Sequence, residues 1–190
     1  PKGEKYLLDA IQTRMKNRFG VDIETNEICS LIGSKEGIAN FLRGIISPTT
    51  NEHEKDIILI PDPSYASYGE MIKVSGGKSY SMPLTHKNNY MPDLDEVWAN
   101  LQKDGLNPDK VKAMLINYPN NPLGASCTFE YLQKVVEFCK KHDILLMSDA
   151  AYADMYFEEE YKPHSALEVE GAKDMTVEFH SFSKPYAMTG

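Results

Sequence analysis

Short apolar runs, each closed by polar or turn-forming residues, constrain the fold of this chain more than any other feature. Most of these runs lack alternating polar positions, which is typical of strands buried on both faces of a sheet. Segments with apolar residues at helical spacing lie between them. The predicted strands cover residues 27–32, 56–60, 79–84, 111–116, 144–147 and 175–179.

The helical segments carry start and stop signals. Apolar residues recur at helical spacing over 6–19, and Gly20 stands where that helix would end. Asp93 and Thr128 precede two further periodic segments, as N-cap residues do. The alternation of strands and helices predicts an α/β fold, a mostly parallel sheet with helices on both faces. In such sheets, ligands bind beyond the carboxyl ends of the strands.

Composition narrows the class of protein. A length of 190 residues corresponds to one domain. The net charge is −8, whereas binding to nucleic acid or to a membrane surface requires a basic face. We therefore expect neither as a partner. Cys29, Cys127 and Cys139 are odd in number and widely spaced, which predicts reduced thiols in a cytoplasmic protein and no metal site.

A single lysine, Lys184, follows the last apolar run and is flanked by Ser181 and Ser183. An amine must be neutral to attack a carbonyl and form an imine, and a buried strand end near cations would favour that state. We interpret Lys184 as the imine-forming lysine of a pyridoxal 5'-phosphate (PLP) site. A lone lysine after a strand is more often a surface residue, so this interpretation depends on the other motifs.

Asp149 ends another apolar run, which places its carboxylate at the mouth of the sheet. PLP acts as an electron sink when its ring nitrogen is protonated, and a carboxylate can hold that proton. Alternatively, Asp149 caps the following turn. Tyr152 would face the same way if the segment turned helically, and its phenol could then bond the cofactor's O3′. The alternative for Tyr152 is a half-buried phenol with an ordinary partner.

Two loop residues are further candidates. Asn121 precedes Pro122, which stiffens its backbone, so its amide could bond O3′ and a substrate carboxylate. Simple turn chemistry is the alternative. Tyr65 follows a Pro-Asp-Pro-Ser turn and could lie flat on the cofactor ring, although a lone aromatic residue is more often part of a core.

A phosphate site is predicted where residues 33–37 connect a predicted strand to a helix. Free N–H groups and the positive end of the helix dipole attract anions at such a turn. Gly33 and Ser34 would contribute N–H and hydroxyl groups, and Lys35 would add charge. Ser181 would complete the cradle.

Together these motifs resemble the large domain of fold-type I PLP enzymes, in the class I/II aminotransferase family. The resemblance covers nearly the whole chain in order. It implies the roles given above for Lys184, Asp149, Asn121, Tyr152, Tyr65, Gly33, Ser34, Lys35 and Ser181. The matching segments are Gly33-Ser34-Lys35-Glu36-Gly37, Pro61-Asp62-Pro63-Ser64-Tyr65, Asn117-Tyr118-Pro119-Asn120-Asn121-Pro122-Leu123-Gly124, Ser148-Asp149-Ala150-Ala151-Tyr152 and Ser181-Phe182-Ser183-Lys184.

The sequence departs from the family pattern at two positions. Leu123 stands where the family usually has threonine, a change that we expect the site to tolerate. Pro185 follows the lysine directly, restricts its backbone and removes one N–H group. We expect imine formation to survive both changes.

The resemblance also bears on domain organisation. It implies that residues 1–190 are a PLP-binding large domain cut at both ends, without the family's N-terminal arm and C-terminal small domain. We therefore expect the 190-residue chain alone to bind PLP weakly or not at all and to be impaired or inactive. The full-length protein is expected to be a homodimer.

The implied function is a PLP-dependent aminotransferase that moves an amino group between an amino acid and a 2-oxo acid, with Lys184 as the proton carrier. The form of the phosphate turn is similar to that of bacterial aspartate- and diaminopimelate-type members. One alternative is a PLP-dependent carbon–sulfur β-lyase, which would share these residues. Another is the aminotransferase-like domain of a transcription regulator, which would require a DNA-binding module upstream.

Overall fold

The computed structural model describes residues 2–189, in which five parallel strands form one sheet with the order β2-β1-β3-β4-β5. The predicted α/β fold is confirmed. The strands are β1 (Ile57–Asp62), β2 (Lys78–Pro83), β3 (Val111–Asn117), β4 (Leu145–Asp149) and β5 (Thr176–Phe179). The α-helices are α1 (Lys5–Phe19), α2 (Ser34–Ile45), α3 (Ser67–Val74), α4 (Leu94–Lys103) and α5 (Phe129–His142).

Helices cover both faces of the sheet. On one face α2 and α3 pack against Ile58, Leu115 and Met147. On the other face α4 and α5 pack against Leu59 and Leu146. Because neighbouring residues of one strand point to opposite faces, continuous apolar runs are what a sheet buried on both sides requires.

Helix α1 packs near the carboxyl end of β4. Met15 and Phe19 form a small cluster with Ala150 and Ala153, which directly follow that strand. Arg18 donates hydrogen bonds to the carbonyl oxygens of Ala153, at 3.1 Å, and of Pro163. These contacts hold α1 beside the turn that leaves β4.

The predicted helix boundaries are confirmed at the positions that carry signals. Gly20 is left-handed with φ 68°, and its N–H bonds to the last turn of α1. The side chain of Asp93 accepts a hydrogen bond from Glu96 N, and that of Thr128 accepts one from Tyr131 N. Within residues 2–189, no helix has both the length and the hydropathy needed to cross a membrane.

The predicted strand over 27–32 is wrong. This segment follows a short 3₁₀ turn, Thr25–Glu27, and is not part of the five-stranded sheet of the described residues. Ile28 is buried, but Leu31 and Ile32 are 40% and 96% exposed. The segment therefore has no continuous apolar face to bury, and its apolar residues imitate a strand in the sequence alone.

Helix α2 lies close against β5. Phe41 meets Phe179 edge to face, with ring centroids 6.3 Å apart. A Cβ atom on Gly37 would stand 2.4 Å from Leu31 Cδ1 and 3.1 Å from Phe179 Cδ1. The absence of a side chain at Gly37 lets the start of α2 approach the end of β5.

Replacing Gly37 by alanine is therefore expected to destabilise the protein by roughly 1–3 kcal/mol through overpacking, despite the better helix propensity of alanine. Gly44 on the same helix is a matched control, since a Cβ there meets nothing within 4 Å. Gly44→Ala should stabilise by about 0.5–1 kcal/mol. Urea unfolding of both variants measures the difference, and equal stabilities would contradict this account of the contact.

Candidate functional site

The candidate residues meet at one edge of the sheet, the edge formed by the carboxyl ends of its strands, because the strands are parallel. Asp149 pairs with Phe179 on one side and with Asn117 on the other. The loop that contains Asn121 and the turn that contains Lys184 therefore leave the sheet on either side of Asp149. The predicted placement of Lys184 and Asp149 at the same edge is what the structure shows.

Asp149 is 6% exposed, and both of its carboxylate oxygens accept hydrogen bonds. Oδ2 accepts one from the phenol of Tyr68 at 2.5 Å, and Oδ1 accepts one from the N–H of Ala151 at 3.2 Å. Burial raises the pKa of Asp149 above its ordinary value, while these two bonds and the charge of His180 oppose the rise. The donors thus favour the ionised carboxylate, whereas burial favours the neutral one.

Tyr68 is a site residue that the sequence reasoning missed. It is fully buried at the start of α3, where burial and then the charge of Asp149 raise its pKa, so it remains a donor. Its ring meets Tyr65 edge to face, with centroids 5.6 Å apart. The available signal was local, because Tyr68 lies among the apolar positions of a predicted helix and a buried phenol needs a polar partner. That signal does not identify Asp149 as the partner.

Asn117 was also missed. Its amide donates to the carbonyl oxygen of Asp149 at 2.9 Å, and its Oδ1 accepts from the N–H of Asn121 at 2.8 Å. Asn117 thereby ties the end of β4 to the loop that carries Asn121. Its position as the polar last residue of an apolar strand was the available signal.

Asn121, Tyr152 and Lys184 lie close together beyond the strand ends. The Nδ2 of Asn121 is 3.4 Å from the hydroxyl of Tyr152. The Nζ of Lys184 is 5.9 Å from the centroid of the Tyr152 ring. These three side chains can therefore surround one small ligand.

Two details differ from prediction. The segment after β4 is a turn, closed by a bond from Ala153 N to Ala150 O, and not the helical turn assumed for Tyr152. Lys184 is exposed, whereas a buried strand end was expected. The reason is that β5 is the outermost strand of the described sheet, so the turn after it faces solvent.

Tyr65 lies beside Lys35, whose Nζ is 5.1 Å from the ring centroid. The pKa of the Tyr65 phenol is lowered by Lys35 first, then by Ser67, with a smaller effect from the charge of Lys184. The structure thus places the Lys35 amine near the Tyr65 phenol, at the start of α2. A phosphate group would find positive charge here.

The start of α2 has the character of an anion site. The helix begins at Ser34, and the carbonyl oxygen of Gly33 accepts from the N–H groups of Glu36 and Gly37. The N–H groups at the very start of a helix have no partner within it. The hydroxyl of Ser181 accepts a bond from Ser183 N within its own turn, so its part in the phosphate cradle stays a prediction.

This set of donors fits PLP. The buried carboxylate of Asp149 suits the ring nitrogen, and the phenol and amide of Tyr152 and Asn121 suit O3′. The amine of Lys184 suits the carbonyl carbon. The helix start at Ser34, with its nearby cations, suits the phosphate.

The chain belongs to the family described as aminotransferase class I and II, whose sequence model matches residues 1–190. Members of this family are PLP-dependent enzymes.

Among curated relatives, the LL-diaminopimelate aminotransferase of Aquifex aeolicus is 43% identical over 189 residues, covering 99% of this chain and 46% of that protein. The protein of the same name from Syntrophobacter fumaroxidans is 43% identical over 176 residues, covering 92% of this chain and 42% of the relative. The chain therefore spans a little under half the length of these relatives.

Solved structures of other proteins are also similar to this chain. Substrate-bound BacF from Bacillus subtilis has a TM-score of 0.88 and 34% identity, covering 100% of this chain and 45% of that one. The aromatic aminotransferase from Pyrococcus horikoshii OT3 has a TM-score of 0.86 and 27% identity, covering 100% of this chain and 48% of that one.

Substituting Tyr68 by phenylalanine is expected to raise the pKa of Asp149 further, because the ionised carboxylate loses its side-chain donor. The folded-state pKa already exceeds the ordinary 3.8, so the stability that Asp149 contributes is complete below 3.8. This stability is lost as pH rises through the folded-state pKa. The deficit of the variant should therefore be small in acid and grow to roughly 1–3 kcal/mol near neutral pH.

Urea unfolding at a series of pH values measures this deficit. Tyr80→Phe is the matched control, since Tyr80 donates to the exposed Asp104 at 2.8 Å. It should change stability by about 0.5 kcal/mol or less at every pH. A deficit of Tyr68→Phe that does not vary with pH would contradict the proposed effect on Asp149.

Proposed function

We propose that the full-length protein carrying this chain is a PLP-dependent aminotransferase. The observation that carries the proposal is the placement of the buried Asp149 carboxylate and the Lys184 amine at the carboxyl ends of neighbouring strands, with Tyr152 and Asn121 close to Lys184. Membership of the aminotransferase family supports the same reaction.

Bound PLP supplies an electron sink that stabilises negative charge on the substrate α-carbon. The part of Asp149 is to hold the proton on the ring nitrogen, for which its carboxylate must be ionised. Tyr68 assists because its hydrogen bond favours the charged form of Asp149 against the effect of burial. The carboxylate and its donor thus act as one unit.

Lys184 has two tasks in this proposal. Its amine would hold the cofactor at the carbonyl carbon and would move the α-proton of the substrate. Tyr152 and Asn121 would hold the ring through O3′.

The phosphate group of the cofactor is assigned to the start of α2. Gly33 and Ser34 offer backbone N–H groups there, Lys35 offers charge, and Ser181 adds its hydroxyl. Tyr65, held edge to face against Tyr68, is assigned to the face of the ring. We further propose that residues 1–190 are the large cofactor-binding domain of a cytoplasmic homodimer.

The substrates are proposed as an amino acid and a 2-oxo acid, with LL-diaminopimelate as the first amino donor to test. This choice follows the names of the curated relatives at 40–43% identity. The names of these relatives favour amino transfer over β-elimination, and no contact in the site favours the β-lyase or the regulator.

Borohydride reduction of the full-length protein with PLP, followed by peptide mapping, tests the assignment of Lys184. The cofactor should be found on the peptide that contains Lys184. Lys184→Ala should abolish the label and lower amino transfer by roughly 10²–10⁴-fold. Lys73→Ala, a surface change on α3, should do neither, and a label on another lysine would refute the assignment.

Steady-state assays test the reaction and the substrate. With a panel of 2-oxo acids as acceptors, LL-diaminopimelate should give a kcat/KM about 10²-fold above that of an aromatic amino acid, because polar recognition groups discriminate strongly. The same preparation should release little pyruvate from cystathionine. Pyruvate release that exceeds amino transfer would identify a β-lyase.

A further inference from the structure

A buried carboxylate on the strand that leads to Lys184 has no part in the chemistry above. Glu178 is in β5, and its side chain is 1% exposed. Its Oε1 accepts hydrogen bonds from Ser165 Oγ at 2.6 Å and from His180 Nε2 at 2.9 Å. Its Oε2 accepts from Ser148 Oγ at 3.0 Å and from Ala166 N at 2.9 Å.

The four partners of Glu178 lie on three segments of the chain. Ser148 lies on β4, directly before Asp149, while Ser165 and Ala166 belong to the loop between β4 and β5. His180 begins the turn that carries Lys184. One carboxylate thus joins the β4 end, this loop and the lysine turn.

The charge state of Glu178 follows from these bonds. Burial would raise the pKa of Glu178, but the hydrogen bond and charge of His180 outweigh that effect, with help from Ser165 and Ala166. The result is a pKa below the ordinary value. A buried charge is costly unless it is paired, so a network that holds Glu178 ionised indicates a specific role.

His180 connects this network to the candidate site. Its ring packs against Phe19 of α1, with centroids 5.9 Å apart. Its charge opposes the rise in the pKa of Asp149. His180 thus packs against α1, and along the chain it directly follows Phe179, the residue that pairs with Asp149 in the sheet.

We propose that Glu178 and His180 form a positioning pair that holds the Lys184 turn beside Asp149. The inference rests on the proposed function, in which Lys184 and Asp149 hold PLP. Neither residue of the pair is assigned a contact with the cofactor. They act through the two residues that touch it.

The Phe19 ring, against which His180 packs, also lies near charged groups of α1. The Arg14 and Arg18 guanidiniums of α1 lie 5.3 and 4.4 Å from the Phe19 ring centroid, and both pair with Asp154. These groups remain unchanged in the variants below, so a difference between variants reports on the pair itself.

The test is a titration of the full-length protein with PLP, followed by visible absorbance from about pH 5 to about pH 9, a range that spans histidine titration. The variants are Glu178→Gln and His180→Gln. The matched control is His164→Gln, because His164 and Glu168 form a second pair at 3.0 Å and His164 is 44% exposed.

His180→Gln is expected to raise the Kd for PLP about tenfold, because a neutral Asp149 cannot pair with a protonated ring nitrogen. Without the charge, Asp149 takes up a proton more readily, so the midpoint at which acid abolishes binding should move to higher pH. Glu178→Gln should act in the same direction, because the substitution removes the carboxylate oxygen that holds His180 Nε2 at 2.9 Å and so releases the His180 ring. His164→Gln should match the wild-type protein in both measurements.

The possible failures are distinguishable. If the wild-type protein takes up no PLP, the proposed function is wrong. If it binds PLP and His180→Gln shows the wild-type Kd and acid midpoint, the positioning pair is wrong, even if the variant melts at a lower temperature. If Glu178→Gln fails to fold, His180→Gln decides alone, since its side chain is 26% exposed and more tolerant of change.

Discussion

The hydrogen bond between the buried carboxylate of Asp149 and the phenol of Tyr68 is the interaction on which the candidate site depends. A carboxylate at the end of a buried strand is driven toward its neutral form by burial, and the proposed chemistry requires the ionised form. Tyr68 opposes that drive from α3, and the N–H of Ala151 opposes it from the following turn. Helix α3 is therefore part of the site as well as part of the core.

The parallel sheet supplies the geometry. Asn117, Asp149 and Phe179 stand on one rung across β3, β4 and β5. Residues distant in sequence therefore reach the same edge without long connecting loops. The close approach of α2 to β5 at Gly37 brings a helix start to that edge as well. Anion binding and amine chemistry are thereby placed on adjacent elements.

Much of this arrangement could be predicted from the sequence, because apolar runs and capping residues act locally. The caps at Asp93 and Thr128 and the shared edge of Lys184 and Asp149 follow from such signals. The pairing of Tyr68 with Asp149 could not be predicted, since it joins residues 81 positions apart and depends on how α3 packs. The segment over 27–32 was wrongly predicted as a strand because apolar residues alone do not reveal whether a partner strand exists.

The exposure of Lys184 was missed for a related reason. The sequence shows an apolar run before the lysine, but the burial of a strand end depends on which strand lies beside it. In the described sheet β5 is the edge strand, and the turn after it faces solvent. The network around Glu178 shows how such an edge can still be held in place, through a buried charge that reaches β4 and the loop before β5.

The central claim is that Asp149 holds a proton on the nitrogen of a bound pyridine ring. The most direct measurement is the ¹⁵N NMR shift of PLP labelled at that nitrogen and bound to the full-length protein, compared with the Asp149→Asn variant. We expect a protonated ring nitrogen in the wild-type protein near neutral pH and an unprotonated one in the variant. An unprotonated nitrogen in the wild-type protein, or the same shift in both proteins, would contradict the account.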